Sequence, residues 1–287
     1  MIERDCTVII KSAGEMASGI AVRLYKAGVR RVLMLETSEP VAVRRTVCFS
    51  EAVYDGSQCV EDVTGRLARN LSEVEHIWHE GDVAVAVDPL WRLAGELHPV
   101  MVVDATIAKR NLGTSMDEAP LVVALGPGFT AGVDAHCVIE TNRGHNLGRI
   151  YTQGAAAPNT GIPGDIGGYT IERVLRAPAA GIVHCRRAIG DVVEKGDVIF
   201  TVDGQEERAA ISGVLRGCIR PGVAVPRGIK LGDIDPRGDP AFCHSVSEKA
   251  RALGGSVLEI LCAEAASHLN GGIPHIRDDG PRLGQFR

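Results

Sequence analysis

The densest group of chemically active side chains in the sequence is the run Glu140-Thr141-Asn142-Arg143-Gly144-His145. It brings a carboxylate, a hydroxyl, an amide, a guanidinium and an imidazole into one short segment. The turn Gly126-Pro127-Gly128 precedes it, directly after an apolar segment, and such a turn frees backbone N–H groups to bind an anion. We predict a ligand site here in which Arg143 clamps an anion and His145 carries a proton near neutral pH. The other predicted binding residues of this part are Gly126, Gly128, Thr141 and Asn142.

A second group of candidates lies near the start of the chain. The apolar run from Cys6 to Ile10, a glycine-containing loop and apolar residues at helical spacing predict a strand, a turn and a helix. A second predicted strand ends at Glu36, at the distance where dinucleotide-binding folds place an acid that accepts a ribose hydroxyl. The predicted binding residues here are Ser12, Gly14, Glu15, Met16, Gly19 and Glu36. The alternative interpretation is that the two glycines only permit close packing and that Glu36 is a solvated strand end.

Three further positions complete the predicted site. Arg44 and Arg45 stand next to each other and offer two guanidinium groups that could grip a phosphate, although adjacent arginines face different ways and one of them could be structural. Asp104, at the end of another predicted strand, could pair with Lys109 at the same edge and move a proton. Cys48, beside the two arginines, is the candidate for a reactive thiol, and burial would explain it equally well. No metal ligands are predicted.

The elements that must position these residues indicate an α/β protein. Successive apolar runs, each ending in a polar residue or a glycine, predict a Rossmann-like parallel sheet whose carboxyl edge carries the ligand. We expect this ligand-binding domain over residues 1–165, a smaller β module over 166–240, a C-terminal helix over 241–266 that packs back, and a disordered tail over 267–287.

The smaller module contains an internal repeat. A shift of 32 residues aligns Gly181 with Gly213 and Gly190 with Gly222, together with flanking apolar positions. Two copies of one small all-β unit are therefore predicted to pair about a pseudo-twofold axis. The first copy resembles half of a lipoyl or biotinyl carrier domain, which implies a barrel-sandwich-hybrid module. The segment at the position of the modified lysine, residues 204–208, has no lysine, so we do not expect a swinging-arm function.

Composition narrows the classes of function. The 287 residues carry a formal net charge of −5, which argues against nucleic acid as the main partner. No apolar window approaches the length of about 18 residues that a membrane helix needs, and no secretory signal is present, so we expect a cytoplasmic protein. The 34 glycines indicate tight loops, because the high apolar content excludes disorder and no collagen triplet is present.

The order of these motifs resembles one family over nearly all of residues 6–262, the YqeB-type accessory proteins of the selenium-dependent molybdenum hydroxylase system. The segments that carry the resemblance are residues 13–19, 44–47, 50–53, 126–129, 140–145, 159–161, 232–237 and 247–250. The resemblance implies a role in maturing molybdenum hydroxylases, with the hydroxylase and selenium or sulfur donor proteins as partners. The resemblance implies the pathway in which the protein acts but does not imply which reaction, if any, it catalyses.

Three hypotheses remain open from the sequence. The first is a maturation factor that binds a phosphate-bearing ligand such as the molybdenum cofactor. The second is an enzyme dependent on NAD(P) or another nucleotide, in which Glu36 contacts the ribose and His145 or Asp104 moves a proton. The third is a non-catalytic docking scaffold for the hydroxylase. The identity of the ligand, catalytic turnover and oligomeric state, self-association included, are left open.

Overall fold

The computed structural model describes residues 6–269, with side chains to residue 266. Its first part is a nine-stranded sheet with the strand order β3-β4-β5-β2-β1-β6-β7-β8-β9. The strands of this sheet, in chain order, are β1 (Thr7–Lys11), β2 (Arg31–Glu36), β3 (Ser57–Val60), β4 (Val63–Ala68), β5 (Val83–Val87), β6 (Met101–Asp104), β7 (Leu121–Leu125), β8 (Cys137–Ile139) and β9 (Ile150–Tyr151). The seven strands from β4 to β8 along this order are parallel, and β3 and β9 pair antiparallel at the two edges.

Helices cover both faces of this sheet, which is why its central strands are buried apolar runs. The described helices are α1 (Glu15–Lys26), α2 (Ala52–Asp55), α3 (Leu71–Glu80), α4 (Arg92–Leu97) and α5 (Glu248–Leu269). Alternate residues of β1 point to opposite faces. Val8 and Ile10 pack with α1 and α5, and Ile9 packs with α3 and α4. Within residues 6–269 no helix combines the length and the apolar character needed to cross a bilayer.

The second part is built from two antiparallel four-stranded sheets, ordered β10-β17-β15-β12 and β14-β13-β11-β16. Their strands are β10 (Val174–Arg176), β11 (Gly181–Cys185), β12 (Val192–Val193), β13 (Val198–Val202), β14 (Gln205–Arg208), β15 (Gly213–Cys218), β16 (Ala224–Val225) and β17 (Lys230–Asp235). The 32-residue repeat is visible here, because β11, β12 and β13 recur as β15, β16 and β17. The short middle strand of each copy pairs with the first strand of the other copy: β12 pairs with β15, and β16 pairs with β11.

The predicted fold class, a Rossmann-like parallel sheet with a barrel-sandwich-hybrid module, is wrong. The large sheet is mixed, because the short connection between β3 and β4 enforces antiparallel pairing and β9 folds back on β8. In the described chain the connections from β6 to β7 and from β7 to β8 contain no α-helix, whereas a doubly wound fold needs helical crossovers. The β part consists of two sheets, each with one strand, β10 or β14, that belongs to neither copy of the repeat.

The predicted domain boundaries at 165 and 240 stay predictions. In the described part of the chain, α5 runs through Gly254 and Gly255 without a break and reaches Leu269. The predicted disordered tail, residues 267–287, otherwise lies outside the described residues.

Close packing between α1 and α5 holds the C-terminal helix against the sheet. A Cβ atom placed on Gly19 of α1 would stand 2.6 Å from the Ala250 Cβ and 3.3 Å from the Ala250 carbonyl carbon. A Cβ on Gly254 of α5 would stand 2.9 Å from the Arg23 Cβ. These two glycines therefore let the helix backbones approach, and α5 in turn carries its own Lys249 and the preceding Ser247 to the sheet edge described below.

We expect Gly19→Ala to be less stable than Gly255→Ala by about 1–3 kcal/mol, the usual cost of overpacking. Both substitutions add the same methyl group to a helix and gain the same helix propensity, but a Cβ on Gly255 would meet no atom within 4 Å. Urea unfolding of the two variants and the unmodified chain measures the difference. Equal stabilities of the two variants would show that the α1–α5 contact is looser than described.

Candidate functional site

A cavity of about 590 Å³ lies where three parts of the molecule meet. The first wall is the carboxyl edge of the large sheet, with Ser12, Gly14, Glu15, Met16 and Glu36. The second is the β part, with Arg173, Arg176, Arg216 and Lys230. The third is the first turn of α5 and the residue before it, with Lys249 and Ser247. This volume falls in the range of about 300–1,000 Å³ that small-molecule sites span.

The loop after β1 is closed by its own hydrogen bonds. Ser12 adopts a left-handed backbone conformation, with φ of 85°, and its Oγ accepts from the Gly14 N–H at 3.1 Å. The Glu36 carboxylate accepts from the Ala13 N–H at 2.8 Å through one oxygen and from the Thr37 N–H at 2.8 Å through the other. Glu36 therefore shapes this loop, and both of its oxygens already have protein donors.

Arg44 joins the walls of the cavity. Its side chain is 4% exposed, and its Nη1 donates to Glu15 Oε1 at 2.6 Å. Its Nη2 donates to the carbonyl oxygens of Phe242 and Ser245, at 2.6 and 3.0 Å, in the segment that leads to α5. Burial alone would raise the pKa of Glu15, but the charge of Arg44 and hydrogen bonds from Ser247 and Arg44 lower this pKa overall. The Glu15–Arg44 ion pair therefore connects the N-terminus of α1 to the segment that leads to α5.

The glycine turn and the polar run predicted as one site do meet at the cavity. Gly126 and Gly128 have φ of 79° and 107°, which glycine adopts without strain. A Cβ on Gly128 would stand 2.5 Å from the backbone of Arg110, so the turn supports the segment that carries Lys109. Glu140, 2% exposed, accepts from the backbone N–H groups of Asn142 and Ala157 at 2.6 and 2.7 Å and fixes the polar run.

Apart from Arg176, whose Nη1 donates to the Gly228 carbonyl oxygen at 2.9 Å, the cations around the cavity fall into two groups. The first group has carboxylate partners: Arg44 with Glu15, Arg143 with Glu248, Arg173 with Asp233, Arg216 with Asp235 and Lys230 with Asp233. The second group is Lys109 and Lys249, whose ammonium groups have neither a hydrogen-bond acceptor nor an ion-pair partner among the described residues.

Lys249 is the more constrained of these two lysines. Burial, and next the positive charge of Arg143, lower the pKa of its ammonium group, while the charges of Glu15 and Glu140 oppose this shift. Lys109 adds a further repulsive charge. Positive charges that repel one another at one place in a cavity are stabilised when an anion binds between them.

Two buried polar atoms at the cavity lack partners. Ser50 is 1% exposed, and its Oγ makes no hydrogen bond within the described residues. The Nε of Arg44 is likewise without an acceptor there. Both residues line the cavity. Unsatisfied buried donors at a cavity wall are expected where a ligand or water completes them.

The structure brings most of the predicted site residues to this one cavity. Those that line it are Ser12, Gly14, Glu15, Met16, Glu36, Arg44, Cys48, Lys109, Thr141, Asn142 and Arg143. Gly126 and Gly128 do not line the cavity themselves but support segments that do. Gly19 instead packs on α5, and Arg45 donates from Nε to the Cys218 carbonyl oxygen at 2.7 Å, away from the cavity. Of the two adjacent arginines, neither is a free phosphate clamp.

Of the three candidates for catalysis, two do not line the cavity, and the third, Cys48, has an unreactive thiol. His145 is exposed and does not line the cavity. Asp104 is fully buried outside the cavity and does not pair with Lys109; its carboxylate accepts from the hydroxyls of Thr106 and Thr114, each at 2.7 Å. Cys48 is buried, and burial raises the pKa of its thiol well above its usual value, so it is a poor nucleophile.

Sequence reasoning missed the residues that come from distant parts of the chain. These are Ser50, Arg173, Arg176, Arg216, Lys230, Ser247 and Lys249. Ser50, Ser247 and Lys249 stand in segments that carry the family resemblance, and this was the available signal. Nothing in the local spacing distinguishes Arg173 or Arg216 from surface arginines. The buried Lys11, which donates to Thr114 Oγ1 at 2.7 Å and Glu118 Oε1 at 2.8 Å, was also missed and lies outside the cavity.

The Glu15–Arg44 pair predicts a pH dependence of stability. Because the pKa of Glu15 is lowered in the folded state, the carboxylate contributes stability above its unfolded pKa of about 4.3, and this contribution is lost as pH falls through the folded pKa. We expect Glu15→Gln to cost about 1.5–3 kcal/mol at pH 7, the value of a hydrogen bond to a charged group. The cost should shrink below pH 4. Urea unfolding at pH 7 and pH 3 measures both.

The matched control is Glu194→Gln, since Glu194 is exposed on a turn of the β part. Its effect on the free energy of unfolding should be small at both pH values. A Glu15→Gln cost that is the same at pH 3 and pH 7 would contradict a charged role for Glu15.

Comparison with known proteins gives one strong similarity. No family model matches the chain. The uncharacterized protein YqeB of Escherichia coli (strain K12) is 53% identical over 254 residues, which cover 88% of this chain and 47% of YqeB. The chain therefore spans about half the length of this relative. The similarity supports the YqeB-type part of the resemblance found in the motifs.

Solved structures match only weakly. The ectoine utilization protein EutE (DoeB) of Ruegeria pomeroyi is 10% identical with a TM-score of 0.22, covering 79% of this chain and 56% of that one. An aspartoacylase family protein of Mesorhizobium loti is 13% identical with a TM-score of 0.24, covering 74% and 58%. Overlaps of this size do not establish a shared fold. The chain is thus similar to YqeB over most of its own length, and it corresponds to about half of YqeB.

Proposed function

We propose that the cavity binds a phosphate-bearing ligand through Lys109 and Lys249. The observation that carries this proposal is that both ammonium groups line one cavity and have no anionic partner within the described residues. Arg143 stands beside them with a partner, Glu248, that is half exposed and can release it to water. A phosphate supplies the missing acceptors for several cations at once.

The phosphate end belongs at these lysines rather than at the N-terminus of α1. In dinucleotide-binding folds a phosphate sits at a helix N-terminus. Here Glu15 places its own carboxylate in the first turn of α1, and Ser12 accepts the Gly14 N–H. A ligand phosphate at this place would meet the negative charge of Glu15.

The same geometry weakens the hypothesis of an NAD(P)-dependent enzyme. That hypothesis needs Glu36 to accept a ribose hydroxyl and His145 or Asp104 to move a proton. Both oxygens of Glu36 already accept backbone N–H groups, and neither His145 nor Asp104 lines the cavity. A nucleotide bound in another orientation remains an outcome of the experiment below.

The wider proposal is that the chain acts as an accessory protein in the maturation of selenium-dependent molybdenum hydroxylases, with the molybdenum cofactor as the ligand. Its support is the motif resemblance, because each of the eight resembling segments contributes at least one residue to the cavity wall. The residues present fit such a group: Lys109 and Lys249 would hold its phosphate, and Ser50 and Asn142 offer hydrogen bonds to its polar edges. The cofactor, when bound, would bring its own metal chemistry. The hydroxylase and a selenium or sulfur donor are the proposed partners.

Ligand binding can be tested by thermal shift and calorimetry with a panel of molybdopterin, its cytidine dinucleotide form, CTP, ATP, NAD and NADP. A ligand at 100 times its Kd should stabilise the protein by about 2.7 kcal/mol. We expect at least one phosphate-bearing compound to do so. Lys249→Gln and Lys109→Gln should each weaken its binding by about 10- to 100-fold, the loss of one charge-assisted hydrogen bond.

Lys195→Gln is the matched control, because Lys195 is exposed on a turn of the β part and does not line the cavity. Its affinity should equal that of the unmodified chain. Binding that survives both cavity substitutions, or that Lys195→Gln weakens to the same extent, would overturn the assignment of the phosphate site.

A further inference from the structure

Two cysteine sulfurs lie close together in the β part, outside the cavity. Cys185 ends β11 and Cys218 ends β15, and these strands belong to the two different antiparallel sheets. The Cys218 thiol donates to the Cys185 Sγ at 3.3 Å. Both residues are free cysteines. Their sulfurs would have to approach by about 1.2 Å to reach the length of a disulfide bond.

The two thiols differ in access to solvent. Cys185 is partly exposed, whereas Cys218 is 1% exposed. A dissolved reagent can therefore reach the Cys185 sulfur first, and Cys218 stands behind it as the second thiol. This order is the one that a nucleophilic and a resolving cysteine require.

The surroundings of the pair favour a thiolate at Cys185. The hydrogen bond from Cys218 lowers the pKa of Cys185, burial opposes this shift, and the charge of Arg45 adds to it. The same hydrogen bond, followed by burial, raises the pKa of Cys218. Arg45 is held in place by the bond from its Nε to the Cys218 carbonyl oxygen at 2.7 Å and by Glu51. Low pKa, partial exposure and a neighbouring guanidinium are typical of reactive cysteines.

We propose that Cys185 and Cys218 form a thiol–disulfide exchange site that reacts with low-molecular-weight disulfides. The Cys185 thiolate attacks one sulfur of the small disulfide, breaks its S–S bond and releases one thiolate. Cys218 then loses its proton, attacks the Cys185 sulfur of the mixed disulfide and expels the second small thiolate. Two protein thiols are oxidised to one disulfide, the small disulfide is reduced to two thiols, and the two protein protons end on these thiols.

The product would be a covalent bond between the two sheets of the β part. It would form beside Arg45, which donates to a carbonyl oxygen of β15. The site is separate from the cavity and does not depend on the function proposed for the cavity.

The test is exposure of the folded 287-residue chain to oxidised glutathione, followed by alkylation of the remaining thiols and peptide mass spectrometry. We expect a Cys185–Cys218 disulfide in the unmodified chain without accumulation of a mixed disulfide. In Cys218→Ser, glutathione should stay attached to Cys185, and in Cys185→Ser no disulfide should form at Cys218. The exposed Cys59 and Cys262 serve as internal controls, since neither lies near a second sulfur among the described residues.

The pH dependence of the reaction gives a second readout that needs no substitution. In the unmodified chain, alkylation of Cys185 by iodoacetamide should reach its half-maximal rate at a lower pH than alkylation of Cys59. Arg45→Gln should move this midpoint for Cys185 upward, and Arg45→Lys should restore it in part. A mixed disulfide that persists at Cys185 in the unmodified chain, or a Cys185 that reacts no faster than Cys59 at pH 7, would overturn the proposal.

Discussion

The enclosure of the cavity depends on one buried guanidinium, that of Arg44. It binds Glu15 at the start of α1 and two carbonyl oxygens of the segment that leads into α5. Its side chain also packs on Gly217 of β15, where a Cβ would stand 3.2 Å from the Arg44 Cγ. A buried charge without its partner costs several kcal/mol, so these contacts hold the large sheet, the β part and α5 in one arrangement.

The other cations around the cavity differ in whether they have an anionic partner. Arginines that already have carboxylate partners, such as Arg173 with Asp233, fix the walls of the cavity, and their charge is partly neutralised by these partners. The attraction comes from Lys109 and Lys249, which repel each other and have no anion nearby among the described residues. An overall charge of −5 is compatible with this arrangement, because the field inside a cavity is set by the groups that face it.

Local sequence patterns predicted the parts of the site that are formed by short segments. The strand, turn and helix over residues 7–26 and the polar run at 140–143 are local features, and both lie at the cavity. The sheet as a whole was not predictable, since the edge strand β3 carries polar residues and β9 has only two residues. Arg44 and Arg45 could not be told apart by type. Only the fold shows that one binds Glu15 and the other the Cys218 carbonyl oxygen. Lys249, which stands more than 100 positions from Arg143 and Lys109 in the chain, meets them because α5 packs on α1 and Glu248 of α5 pairs with Arg143.

The central claim, that unpartnered lysines in this cavity bind a phosphate, is tested most directly by a crystal structure of the chain with the tightest-binding compound of the panel. The account predicts phosphate oxygens within hydrogen-bond distance, about 2.7–3.2 Å, of Lys109 Nζ and Lys249 Nζ, with the Glu15–Arg44 pair intact. A phosphate bound at the N-terminus of α1, with both lysines unchanged, would contradict it.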